Sequence, residues 1–105
     1  MSSPDDGKQI TRSVARAMIQ NFQKTLYFEN NKIKGGFLGR NQVLAVLSQP
    51  ACAGIRYYHA LNSDGQHTIV LVGEDLNGNS LSDGVLSDEG PLCPPWCPHS
   101  NALDL

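Results

Sequence analysis

Two stretches, Ile55-Arg56-Tyr57-Tyr58-His59-Ala60-Leu61 and His67-Thr68-Ile69-Val70-Leu71-Val72-Gly73-Glu74, bracket the cluster Asn62-Ser63-Asp64-Gly65-Gln66. Both flanks are rich in β-branched and aromatic residues, and Asp-Gly sits at the centre of the connection, where positive φ is needed for a tight reversal. The pattern predicts a β-hairpin. Its second arm, Thr68 to Val72, is apolar on both faces, which predicts a central strand covered on each side. In a chain of 105 residues a second subunit is one source of that cover.

Upstream of the hairpin the period changes. Val14, Ala15, Met18, Ile19, Phe22 and Leu26 recur at three- and four-residue steps, with Arg12, Arg16, Gln20, Gln23 and Lys24 opposite, so an amphipathic helix is expected from Arg12 to Phe28. Thr11 suits its N-cap and Ile10 suits a hydrophobic staple. Asn30, Asn31, Gly35, Gly36 and Gly39 then make a flexible connection. A second, short helix is expected from Asn41 to Ser48, stopped by Pro50. Downstream, Asp75 to Gly84 reads as a polar loop, Val85 and Leu86 as a short edge strand, and Gly90 to Leu105, with Pro91, Pro94, Pro95 and Pro98, as an extended tail. The expected fold is α+β: two N-terminal helices, one long and amphipathic and one short, packed on a small antiparallel sheet built on the hairpin, with an extended Pro/Cys-rich C-terminal tail. Residues 1–9 read as a flexible lead-in, 10–89 as a single domain, and 90–105 as the tail.

Composition excludes some functions and favours others. Charged residues make up 17% of the chain and apolar ones 40%, short of the quarter charged that is usual for a free-standing domain; a buried subunit interface would account for some of the deficit, although Asn, Gln and Ser are plentiful and also keep a surface wet. A net charge of -2 and a pI near 5.8 leave no basic footprint for nucleic acid. No apolar run is long enough to cross a bilayer, and the polar, acidic start lacks a secretory signal, so a cytoplasmic protein is expected. Three cysteines, Cys52, Cys93 and Cys97, do not make an even disulfide framework, and reduced thiols are the default.

The most unusual string is Cys93-Pro94-Pro95-Trp96-Cys97-Pro98-His99. Cys93, Cys97 and His99 could supply three ligands to zinc, although no second Cys or His pair completes a finger. Along a polyproline path the two sulfurs would lie roughly 12 Å apart, at about 3.1 Å per residue, so shared ligation or a disulfide needs a turn within Pro94 to Trp96. The bland alternative is that Leu92, Cys93, Trp96 and Cys97 pin the tail to the apolar body. No cofactor is required by the sequence; zinc is the one it allows.

His59 and His67 flank the hairpin turn. They share a face, and could be paired ligands, only if the turn has an odd number of residues; otherwise they are ordinary surface histidines. Asp75, Asn77, Asn79 and Asp83 follow a calcium-loop spacing, but Ser80 stands where glycine is needed and Leu86 where a bidentate glutamate is needed. Lys32 to Arg40 matches no phosphate-binding fingerprint, and Cys52, with no base placed beside it, reads as capping a helix end.

The strings Gly54-Ile-Arg-Tyr-Tyr, Val70-Leu-Val-Gly73 with Asp75-x-Asn77-Gly78-Asn79, and Cys93-Pro94-Pro95-x-Cys97 resemble a group of small uncharacterised bacterial proteins. The resemblance covers about Ile10 to Cys97 and implies a compact cytosolic domain, without an activity or functional residues to carry over.

With no catalytic constellation in the chain, the expected function is that of a non-enzymatic structural or interaction protein that self-associates as a homo-oligomer. Tyr57, Tyr58, Val70, Val72 and Trp96 are its candidate interface, since aromatic residues are enriched in interface cores. The alternative is a small zinc-binding protein using Cys93, Cys97 and His99.

Overall fold

The computed structural model describes residues 3–98 and Leu103. It is α+β, with three helices, α1 (Arg12–Gln23), α2 (Leu26–Asn31) and α3 (Arg40–Leu47), and five strands, β1 (Gly35–Gly36), β2 (Gly54–Leu61), β3 (His67–Glu74), β4 (Leu86–Asp88) and β5 (Leu92–Cys93). Strands β2, β3 and β4 form one antiparallel sheet with β3 in the centre, and β1 pairs with β5 in a second, two-stranded sheet.

The hairpin is the frame. β2 and β3 pair along their full length, from Gly54 opposite Glu74 to Leu61 opposite His67. The turn is closed by the Asn62 carboxamide oxygen, which accepts from the Asp64 and Gln66 amides, while Gly65 takes φ 77°, a left-handed conformation natural to glycine. β3 is central, as its two apolar faces require, and β4 supplies the edge through Val70–Asp88 and Val72–Leu86 pairing.

The long helix expected from Arg12 to Phe28 is two helices. Thr11 caps α1, its hydroxyl accepting from the Val14 amide. Thr25 then adopts an extended conformation and accepts from the Phe28 amide, starting α2. Phe22 bridges the break, packing edge-on to Phe28 at 5.8 Å. The short helix, α3, falls where it was expected and is the one that seats on the sheet: Val46 is completely buried, and the Gln49 side chain ties the helix end to the entry of β4 by donating to the Val46 carbonyl and accepting from the Val85 amide. Gly73 permits this seat, because a Cβ there would lie 3.0 Å from both Cys52 Sγ and Gln49 Nε2.

The tail is not merely extended. Leu92 and Cys93 pair with Gly36 and Gly35, Phe37 and Lys34 amides donate to the Pro91 and Cys93 carbonyls, and Leu92 is buried. The core is small: among the described residues the buried hydrophobic side chains are Val46, Leu71, Val72 and Leu92. No helix among the described residues is long and apolar enough to cross a membrane.

Candidate functional site

The five-residue turn fixes the parity of the hairpin. With Leu61 opposite His67 and His59 opposite Ile69, both histidines lie on the face that also carries Tyr57 and Leu71. Their rings meet edge to face, with centroids 5.1 Å apart, and His59 Nδ1 is 3.1 Å from His67 Nε2. The other nitrogen of His67, Nδ1, is hydrogen-bonded to the Tyr27 hydroxyl of α2, and the Tyr27 ring stands perpendicular to the imidazole. Tyr57 packs against the far side of His59, centroids 5.7 Å apart. A shallow cavity of about 500 Å³, lined by Tyr27, His59, Ala60, Leu61 and His67, opens over the pair.

This arrangement holds two imidazoles at fixed orientation with their nitrogens converging, and leaves one edge of His59 toward solvent. Tyr27 carries no signal in the sequence that links it to the hairpin. It lies 40 residues from His67, and only the break at Thr25 brings it to the sheet.

On the opposite face of the hairpin, the Arg56 guanidinium holds both oxygens of Glu74, Nε to Oε1 at 2.5 Å and Nη2 to Oε2 at 2.8 Å. Glu74 is only 7% exposed. The hydrogen bond to Glu74, and then its negative charge, hold the guanidinium above its ordinary pKa. The fit is the planar, two-pronged one that arginine and a carboxylate share.

In the Asp75 to Gly84 loop, Asp75 organises its own chain. One carboxylate oxygen accepts from the amides of Asn77 and Asn79, and the other accepts from the Asn79 side chain. The backbone bond from Asn79, foremost among these, holds the Asp75 carboxyl below the usual aspartate range. Asp75 thus engages both of its oxygens in an Asx-type turn.

The tail makes the turn that its cysteines need. Cys93 and Cys97 are joined as a disulfide, with Cα atoms 4.7 Å apart, and the Trp96 amide closes the turn on the Leu92 carbonyl. The default of reduced thiols is corrected for these two. Sulfurs bonded to each other are not thiolate ligands, so the zinc set of Cys93, Cys97 and His99 pertains to the reduced chain; His99 lies outside the described residues. Among the described residues no three metal-binding side chains of His, Cys, Asp or Glu converge. Cys52 is free and its thiol donates to the Gly54 carbonyl at the end of the α3 turn.

The five candidate interface residues separate. Tyr58, Val70 and Val72 share one face, Tyr58 directly opposite Val70; Val72 is buried while Tyr58 is 51% exposed. Tyr57 lies on the histidine face, and Trp96, 71% exposed, lies on the tail. The apolar stripe of α1, expected to pack on the sheet, is a further exposed surface. No residue of α1 is buried, and Ile10, Val14, Met18 and Phe22 are all exposed along one side.

Set against protein-family models, curated proteins and solved structures, the chain matches none.

Proposed function

We propose that this is a structural or interaction protein, without enzymatic activity of its own, that associates with further copies of itself in the cytoplasm. The observation that carries the reading is the open apolar side of α1, continued by Leu26. An amphipathic helix is stabilised chiefly by burying its apolar side, and among the described helices and strands the one that this helix meets most is α2. A second copy of α1 offers the same stripe at the same spacing, which is what a two-fold interface requires. Tyr58, beside Val70, and Trp96 are further candidates for contact.

Sedimentation equilibrium of the purified chain at micromolar concentration tests the reading. An oligomer that Met18→Lys converts to a folded monomer supports it, whereas a wild-type monomer at that concentration ends it. The zinc-binding alternative on Cys93, Cys97 and His99 concerns the reduced chain, so an oligomer that forms with the disulfide intact and chelator present separates the two.

A further inference from the structure

We propose that His59 and His67 form a cross-strand binding site for a divalent transition-metal ion of the imidazole-preferring kind, zinc or copper, with Tyr27 as the positioning residue. Two nitrogens each 2.0–2.1 Å from a tetrahedral ion lie roughly 3.3 Å apart. His59 Nδ1 and His67 Nε2 stand 3.1 Å apart, close to that spacing, so a rotation of each ring by roughly 35° turns both lone pairs onto one point beside the line between them, where an ion sits. The strands supply the rigidity: both residues sit on the paired part of the hairpin, His67 at its last pair, and Tyr57 and Tyr27 buttress the two rings from either side.

The protons balance without external base. Each neutral imidazole carries one N–H. The hydrogen bond between the rings puts one of these protons on a ligating nitrogen in the metal-free pair; on binding, that ring changes tautomer through solvent, leaving His59 protonated on Nε2, facing solvent, and His67 protonated on Nδ1, donating to the Tyr27 oxygen. Both ligating nitrogens are then bare. A metal-bound histidine usually gives its second N–H to an oxygen in this way, which fixes both ring and tautomer. Water fills the remaining positions from the open cavity over the pair. The site uses none of the tail residues, so it is independent of Cys93, Cys97 and His99.

The test is calorimetric titration of chelator-stripped, disulfide-intact protein with zinc chloride, and separately with copper(II) chloride, alongside thermal melts with and without metal. One equivalent is expected to bind to wild type and raise the melting temperature, because an ion bound only by the native state stabilises it. His59→Gln and His67→Gln each abolish the stoichiometric heat, Tyr27→Phe weakens binding by about tenfold, and His99→Gln changes nothing. Metal-free melts in which each variant still unfolds cooperatively well above the titration temperature exclude unfolding as the cause. No binding at millimolar metal, or binding that survives His59→Gln but not His99→Gln, overturns the proposal.

Discussion

Arg56 and Glu74 lie diagonally across β2 and β3, and the guanidinium takes both carboxylate oxygens of a residue that the sheet has otherwise buried. A carboxylate so placed is tolerated because its charge and lone pairs are met. Arg56→Ala is therefore expected to lower the urea midpoint. Arg56→Lys, which keeps the charge but not the fork, falls between the two. Equal midpoints for wild type and Arg56→Ala would show the pair to be idle.

The carboxyl of Asp75 is held below its ordinary range by the amides of Asn79 and Asn77 and the Asn79 side chain. A group whose folded pKa is depressed contributes its full stabilisation above the unfolded value, about 3.9, and loses it as pH falls through the folded one. The Asn79 amide resonance is expected to titrate with a midpoint under that of a free aspartate. In Asp75→Asn the acid-dependent movement disappears.

Leu71 is 2% exposed in the centre of the three-stranded sheet, and few other side chains are buried among the described residues. Leu71→Ala is expected to cost about 2–5 kcal/mol, a large part of the margin of a small domain. Tyr58→Ala, on the exposed part of β2, should leave the monomer's stability within about 0.5 kcal/mol. Chemical unfolding of the two variants side by side checks the contrast.

Tyr27→Phe deletes the hydroxyl that meets His67 while keeping the ring contacts to Phe22 and His67. The expected loss is about 1 kcal/mol. It should vanish in a His67→Gln background, so that a double-mutant cycle assigns it to this bond.

How much of this was legible in the sequence differs by element. The hairpin and its central strand were, because the flanking apolar pattern and the Asp64-Gly65 turn agree with each other. Thr11 as a cap was legible for the same reason. The break at Thr25 was not: Val14, Met18, Phe22 and Leu26 keep helical spacing straight through it, and a threonine that turns its hydroxyl to the next amide competes with the helix without changing the pattern. The β1–β5 pairing hid behind prolines, which forbid donation but not acceptance; Pro91 accepts from Phe37. The histidine pair depended on whether the turn holds four residues or five, a distinction that composition does not carry.

The pairing of β1 with β5 also orders the events of synthesis. A ribosome releases Gly35 and Gly36 long before Leu92 and Cys93, and the whole β2–β3–β4 sheet lies between them in the chain. The hairpin, made of neighbours, can close as soon as it emerges, whereas β1 waits for a partner separated by a long loop, whose closure is slow. The connection between α2 and α3 thus stays unpaired on the nascent chain until Leu92 and Cys93 are in place, and that interval is when the half-made molecule is most open to meeting its neighbours.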